Sequence, residues 1–375
     1  MFKVILVFTV FFLSFTLANA NANNWLIINQ DPQIMSKINE ISTTVLNKGR
    51  IHVVTLNVPY AKLTEKIKKS LRVIKLEEIN QYQLQLSQSG TQVETPIPWI
   101  KELTKKITAD SIKNFVLKIV DQGNRSTGSL DSARAAGNEL TQKMIKSYFE
   151  SWGYSSNLHC YKNRKYAKEC NVYAIKKAAN NSKQTIIVQG HLDSVNFSKA
   201  GADDNASGTA GVLELAKQLK DIKTNINILF VANNGEEDGL VGSEAYVELL
   251  TQNGEIGNII LTINMDMIAY NSNNNFEIET NKEYEELANW IGKQAILYGE
   301  LNPIITMPAW GSDHVPYLDA KVPSYLSIEE WDTHTPCYHR SCDKPDGLNY
   351  EYAAKIVRTN FSVIIQKADL EIENR

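Results

Sequence analysis

Residues 183–193 read KQTIIVQGHLD, an apolar and β-branched run of strand length that ends in a glycine, a histidine and an aspartate. NINILFVAN (225–233) and GNIILTINMDM (257–267) are similar apolar runs. Continuous apolar strands with helices between them are typical of a mainly parallel sheet that is covered on both faces. We therefore predict an α/β fold, in which a mixed, mainly parallel β-sheet is sandwiched between helices.

Helical patterns alternate with these strands. Residues 208–220 (GTAGVLELAKQLK) carry apolar side chains on one face, and residues 243–252 and 283–297 predict two further helices. Parallel strands end at the same edge of a sheet, and function in such folds collects at that edge. The residues that follow each strand are therefore the candidates for the site.

The N-terminus has the character of an export signal. Lys3 precedes an apolar run at residues 4–17, and small residues follow at the positions where a signal peptidase cleaves, after Ala20 or Ala22. A membrane anchor is the alternative, but the run is shorter than the roughly 20 residues that span a bilayer. We expect a signal peptide over residues 1–20 and a secreted protein, extracellular or periplasmic, whose mature form is not attached to a membrane.

A small domain follows the signal. WLIINQ (25–30) and RIHVVTLNV (50–58) predict strands, residues 60–71 predict an amphipathic helix, and residues 84–98 are polar and resemble a linker. We expect residues 21–98 to form an α+β propeptide of a zymogen. A permanent accessory domain is the alternative. The catalytic domain is then residues 99–375.

The composition and net charge limit the classes of molecule that the chain is expected to bind. The 375 residues are 43% hydrophobic and 22% charged, with a formal net charge of −3. Such a chain can build a large core, and its charge gives no electrostatic argument for nucleic acid. The even count of four cysteines suggests two disulfides in an oxidising compartment, and sequence neighbours are the simplest pairing: Cys160 with Cys170 and Cys337 with Cys342. A thiolate zinc site is the alternative.

Acidic residues and a histidine follow the predicted strands. In the extended His191-Leu192-Asp193 segment the first and third side chains point the same way, so one can face a metal while the other orients it. An acidic, glycine-flanked loop (GADDNASG, 201–208) precedes the first helix, where a helix cap is the simpler explanation for one acid but not for all. The remaining candidates are Asp203 or Asp204 in this loop, Glu236 and Glu237 after the next strand, and Asp266 between two methionines.

Three histidines compete for the last place in this set. His314 and His334 are rivals of His339, which lies between Cys337 and Cys342 in PCYHRSCD. Mixed nitrogen and oxygen ligands suit zinc, and a bridging carboxylate can hold two ions. The spacing alone leaves open which aspartate of the loop and which histidine take part.

The order HLD, GADDNASG, GEE, MDM and PCYHRSCD resembles the secreted bacterial leucyl aminopeptidases, a family of exopeptidases with two zinc ions that is related to glutamate carboxypeptidase II and glutaminyl cyclases. The resemblance covers about residues 105–370 and includes Asn124-Arg125-Ser126. It implies the zinc-exopeptidase fold, two zinc ions per catalytic domain, and a cis peptide after Asp204. The ligands that it implies are His191, Asp204, Glu237, Asp266 and His339.

The resemblance also implies the chemistry. Glu236 would be the general base toward a water activated by the two zinc ions, Asp193 would orient His191, and Tyr338 would polarise the scissile carbonyl, although not every member uses that tyrosine. The expected substrates are peptides or proteins with a free N-terminus, with leucine or another apolar residue first, and the expected state is a monomer. The alternatives are a glutaminyl cyclase or carboxypeptidase on the same fold, or a binding ectodomain without catalysis.

Overall fold

A computed structural model describes the chain over residues 24–28, 42–48, 51–56, 72–75, 95–127, 132–162, 169–195, 200–270 and 273–368. The chain divides into two compact units, Met1–Thr91 and Gln92–Arg375. The predicted signal peptide, the predicted helix at residues 60–71 and all but the end of the predicted linker lie outside the described residues.

The first unit contains a four-stranded antiparallel sheet in the order β2-β3-β1-β4. Two of its strands are those predicted at residues 25–30 and 50–58, and the other two were not predicted. The bounds are β1 Asn24–Ile28, β2 Ser42–Lys48, β3 Ile51–Leu56 and β4 Arg72–Lys75.

The second unit is built on an eight-stranded sheet in the order β11-β10-β12-β9-β7-β8-β6-β5. The four central strands β12, β9, β7 and β8 are parallel, and β6 and β5 extend the sheet antiparallel at one side. The predicted mixed, mainly parallel sheet is confirmed. The bounds are β5 Ser155–Tyr161, β6 Glu169–Lys176, β7 Thr185–His191, β8 Asn227–Asn233, β9 Ile259–Met265, β10 Asn275–Glu279, β11 Asn302–Thr306 and β12 Ser324–Glu329.

Helices occupy the connections, as predicted for residues 208–220 and 243–252. The helix predicted at residues 283–297 is divided, because a 3₁₀ turn precedes its α-helical part and a π-helical turn follows it. The bounds are α1 Pro98–Thr104, α2 Ala109–Val120, α3 Ser132–Ser151, α4 Gly208–Leu219, α5 Val241–Gln252, α6 Glu285–Gln294, α7 Val315–Asp319 and α8 Tyr350–Lys367.

The continuous apolar strands result from burial on both faces of the sheet. In β7, Ile186 and Val188 belong to the main core with α2, α4 and α8, whereas Ile187 points to a second core with α5 and α7. Every residue of β7 and β8 is buried. Neither strand could therefore show the polar alternation of a half-exposed strand.

Close packing places α4 directly behind the strand ends. A Cβ on Gly208 would lie 2.1 Å from the carbonyl oxygen of Met265, so only glycine lets the helix begin this close to β9. The loop before the helix turns at Gly201, whose φ of +47° also favours glycine. Among the residues for which the structure gives a description, no helix is both long and apolar enough to cross a membrane.

Candidate metal centre

The carboxyl ends of the four central strands bring the predicted side chains together. His191 is the last residue of β7, Glu236 and Glu237 follow β8, Asp266 follows β9, and His339 lies in the loop after β12. Asp204 reaches the same place from the loop before α4. The sheet therefore gathers residues from five separate segments at one edge.

One group of side chains surrounds His191, which is 1% exposed. Its Nε2 lies 3.2 Å from Oδ1 of Asp204 and 3.3 Å from Oδ1 of Asp266. Oε2 of Glu236 is more distant, at 4.0 Å from the same nitrogen. These side chains converge on one point in front of the ring.

A second group surrounds His339. Its Nε2 lies 3.1 Å from Oδ2 of Asp204 and 3.1 Å from Oε2 of Glu237. Asp204 therefore presents one carboxylate oxygen to each histidine. The peptide bond between Asp204 and Asn205 is cis, as the resemblance implied.

The other atoms of these carboxylates are held by the protein. The Ser312 hydroxyl donates to Oδ2 of Asp266 over 2.7 Å, and the Val195 N–H donates to Oε1 of Glu237 over 3.1 Å. Each of these two carboxylates therefore keeps one oxygen for the protein and turns the other to the centre. Fixed ligand orientation of this kind raises the affinity of a metal site.

The separations are compatible with metal coordination. Four ligands at zinc bond lengths of about 2.0–2.1 Å form a tetrahedron with edges of about 3.3–3.4 Å. The nitrogen–oxygen distances within the two groups are 3.1–3.3 Å. Imidazole and carboxylate donors are also those that zinc prefers, so both groups could hold this ion.

The electrostatic environment of these side chains also favours a bound cation. Burial raises the pKa of Glu237 to about 7, and the neighbouring Asp204 carboxylate adds to the effect. Burial favours the neutral ring of His339, but the carboxylates of Glu237 and Asp204 outweigh it and raise the pKa of the ring to about 11. Buried carboxylates at these separations repel one another, and a bound cation would relieve that repulsion.

The structure separates the rivals that the sequence left open. Oδ1 of Asp203 accepts the Ala269 N–H over 2.9 Å, whereas the oxygens of Asp204 face the two histidines. His314 is fully buried with Nε2 3.3 Å from Oε1 of Glu279, and His334 stacks on Trp331 with ring centroids 4.2 Å apart. Within the described part of the chain, none of the three belongs to a group of potential metal ligands.

The two predicted disulfides are present. Cys160 in β5 pairs with Cys170 in β6, and Cys337 pairs with Cys342 around His339. The thiolate zinc site considered as the alternative is therefore wrong. The helix-cap explanation for the acidic loop is wrong as well, because Asn205, rather than an aspartate or Ser207, accepts the Gly208 N–H.

Aromatic rings border the centre on the His339 side. Tyr338 stacks on His339 with ring centroids 3.8 Å apart and meets Trp331 edge-on at 5.5 Å. Trp310 meets Trp331 edge-on at 5.7 Å. We call Trp310, Trp331 and Tyr338 the aromatic wall; it packs on Met267, Leu326 and Ile328.

Three residues near the centre received no role from the sequence. Ser312 lies two residues before His314, and Asp343 ends the segment PCYHRSCD. Arg125 was noted only within a resembling segment. Each lay in a segment already singled out, so proximity to the candidate ligands in sequence was the available signal.

Comparison with known proteins places this geometry in context. The sequence profile of peptidase family M28 matches residues 171–364. Aminopeptidase YwaD of Bacillus subtilis is 31% identical over 188 residues, which are 48% of this chain and 41% of that protein. The chain thus matches less than half the length of this relative.

Solved structures resemble the fold over a longer stretch. The LapA aminopeptidase of Legionella pneumophila matches with a TM-score of 0.67 at 18% identity, over 93% of this chain and 98% of that one. A glutaminyl cyclase of Porphyromonas gingivalis matches with a TM-score of 0.58 at 18% identity, over 69% of this chain and 98% of that one. Identities this low establish the fold alone.

Proposed function

The chain belongs to peptidase family M28, and we propose that it is a zinc-dependent aminopeptidase that removes the N-terminal residue of peptides. The observation that carries the proposal is the position of Asp204, whose two carboxylate oxygens face His191 and His339 separately. A carboxylate placed in this way can bridge two metal ions. We infer that His191, Asp204 and Asp266 hold one zinc ion, and that His339, Asp204 and Glu237 hold the other.

Two zinc ions would supply positive charge that acidifies a water molecule and polarises the scissile carbonyl. Glu236 is the candidate base. Its Oε2 lies 4.0 Å from Nε2 of His191, farther than the oxygens of Asp204 and Asp266. Glu236 also forms a third group of potential metal ligands with His191 and Glu237, so its role as base rather than ligand is part of the proposal. In this proposal Glu236 accepts the proton of the attacking water and passes it to the leaving amine.

Tyr338 is the candidate donor to the substrate. Its ring lies against that of His339, which places the side chain beside the second ligand group. A phenol hydroxyl there can donate a hydrogen bond to the carbonyl oxygen as negative charge develops on it. Tyr338 would thus share in stabilising the tetrahedral intermediate.

The aromatic wall supports a preference for an apolar first residue. Met267 directly follows the proposed ligand Asp266, and Tyr338 directly precedes the proposed ligand His339. In this proposal the aromatic wall and the apolar side chains under it therefore border the reacting bond. Trp310 and Tyr338 are only partly buried there. An apolar side chain lying against them would be removed from water, whereas a charged one would lose hydration without a partner.

Export remains part of the proposal. The two disulfides of the second unit are expected in a protein that matures in an oxidising compartment. They support the prediction of a secreted protein made with a signal peptide at residues 1–20. The propeptide at residues 21–98 stays a prediction.

The test combines a substrate panel with metal analysis of the processed protein. Leucine p-nitroanilide and a peptide that begins with glutamine would be supplied in parallel, and zinc would be quantified per chain. We expect hydrolysis of the leucine substrate, two zinc ions per chain, and loss of activity with a chelator that added zinc reverses. Cyclisation of the glutamine peptide without hydrolysis would favour a glutaminyl cyclase, and a folded protein without zinc would refute the proposal.

Substitution of Glu236 completes the test. Glu236→Gln keeps the shape of the side chain and removes the base, so the rate should fall at least ~100-fold while zinc content is retained. Near-normal turnover would show that another group takes the proton.

A further inference from the structure

Asp204 reaches the centre on a loop that is held from two sides. Two different side chains form hydrogen bonds with the backbone of this loop. Arg125 donates to carbonyl oxygens at the beginning of the loop, and Asp343 accepts hydrogen bonds from the N–H groups of Asp203 and Asp204. Both side chains are buried. We call Arg125 and Asp343 the clamp pair.

Arg125 joins two segments that carry proposed ligands. Its Nε donates to the carbonyl oxygen of Leu192 over 2.8 Å, directly after His191. Its two terminal nitrogens donate to the carbonyl oxygens of Ala200 over 2.6 Å and Gly201 over 2.7 Å, at the start of the loop that leads to Asp204. One rigid guanidinium therefore fixes the distance between the end of β7 and the Asp204 loop.

Burying a charged guanidinium costs free energy unless its N–H groups find hydrogen-bond partners. Arg125 is fully buried, and burial lowers its pKa to about 10, against the opposing effect of the Asp343 and Asp193 carboxylates. It remains charged at neutral pH. A Cβ on Gly201 would approach its Nη2 to 3.0 Å, so the glycine leaves the space in which the guanidinium lies.

Asp343 links the same loop to the His339 segment. Its Oδ1 accepts the Asp203 N–H over 2.8 Å, and its Oδ2 accepts the Asp204 N–H over 3.2 Å. Asp343 directly follows Cys342, whose disulfide to Cys337 encloses His339. The carboxylate thus ties the shared ligand Asp204 to the loop that carries the second histidine.

We propose that Arg125 and Asp343 are positioning residues that set the Asp204 carboxylate between His191 and His339, and so determine the affinity for both metal ions without touching either. The inference rests on the proposed function, because it takes Asp204 as the shared ligand. Arg125 holds the Asp204 loop in position relative to His191, and Asp343 holds it in position relative to His339. Loss of either would displace the carboxylate on which both ligand groups depend.

The chemistry of each side chain is specific to this task. Lysine keeps the charge of arginine but is a single ammonium group and cannot reproduce a planar fork directed at separate carbonyl oxygens. Asparagine keeps the shape of Asp343 but turns an NH₂ group toward an N–H donor. Arg125→Lys and Asp343→Asn therefore remove the fixed geometry with little change in volume.

The experiment measures zinc affinity in full-length protein without substrate. Zinc would be removed from each variant and titrated back against a competing chelator, at a temperature where circular dichroism shows the protein folded. We expect zinc affinity to fall 10- to 100-fold in Arg125→Lys and in Asp343→Asn, the range for residues that orient ligands. Two matched controls are available. Arg358→Lys changes an arginine whose Nε also donates to a carbonyl oxygen, that of Ile107, over 2.9 Å. Asp346→Asn changes an exposed aspartate on the same loop as Asp343.

The outcomes separate positioning from a general contribution to folding. A role in folding alone would lower the unfolding temperature of the zinc-free protein and leave the zinc affinity of the folded protein unchanged; that result would overturn the inference. If Arg125→Lys does not fold, Asp343→Asn decides by the same measurement. Because no substrate is present, a wild-type protein without peptidase activity would refute the proposed function and leave this measurement valid.

Discussion

Oδ1 of Asp193 lies 3.5 Å from Nδ1 of His191, while the opposite ring nitrogen faces Asp204 and Asp266. The same carboxylate accepts the N–H groups of Glu236 over 3.4 Å and Glu237 over 3.3 Å. Asp193 thus connects the end of β7 with the segment that follows β8. It can orient the proposed ligand His191 at the end of one strand and the proposed base Glu236 after the next.

Asp193→Asn should weaken zinc binding about 10- to 100-fold, because it removes the negative charge 3.5 Å from Nδ1 of His191 and keeps only the main-chain carbonyl oxygen of residue 193, which lies 3.2 Å from the same nitrogen. The change should also lower the rate, since the Glu236 N–H loses a carboxylate partner. Zinc titration and steady-state kinetics measure the two effects. Asp221→Asn is the control, since Asp221 has an 85% exposed side chain; equal zinc affinity in both variants would contradict the prediction.

Tyr338→Phe should lower kcat by about 100-fold, the scale for loss of one donor to a developing oxyanion. The ring, and with it the stacking on His339, is kept, so zinc content should not change. Kinetics with leucine p-nitroanilide and metal analysis of the same sample measure both. A variant with full kcat would show that the hydroxyl takes no part in the reaction.

The two disulfides should differ in their effect on zinc. Replacing Cys337 and Cys342 by serine removes the cross-link around His339 and should weaken the zinc site that we propose for this histidine. Replacing Cys160 and Cys170 opens a cross-strand link between β5 and β6 and should leave zinc affinity unchanged. Zinc titration of the two double variants tests this, and equal loss in both would argue that the disulfides act on stability alone.

Trp310→Ala should reduce the preference for a large apolar first residue. One extra methylene of a substrate in a hydrophobic pocket contributes about 1–3 kcal/mol, or 10- to 200-fold in discrimination, and this contribution should shrink when the aromatic face is removed. We expect kcat/KM to fall for leucine p-nitroanilide more than for alanine p-nitroanilide. Trp290→Ala, in α6 and packed against the main core, is the control that should lower both equally or not at all.

Much of the fold could be predicted because burial leaves a mark on the sequence. The apolar runs of β7, β8 and β9 are long since both sheet faces are covered, and the amphipathic pattern of α4 is regular. The strands on either side of β7, β8 and β9 in the sheet were not predicted: β5, β6, β10, β11 and β12. In β10 the buried Glu277 and Glu279 interrupt the apolar pattern, because they accept the backbone N–H groups of Trp331 and Trp310.

The sequence by itself determined the types of the candidate ligands, their places after successive strands, and the simplest pairing of the cysteines. It could not choose Asp204 over Asp203, or His339 over His314 and His334, except by resemblance. Those choices depend on distances between residues that are more than a hundred positions apart, such as the 3.1 Å between His339 and Asp204. Only the parallel arrangement of β12, β9, β7 and β8 brings these segments to one edge of the sheet, and only buried hydrogen bonds from Arg125 and to Asp343 fix the loop between them.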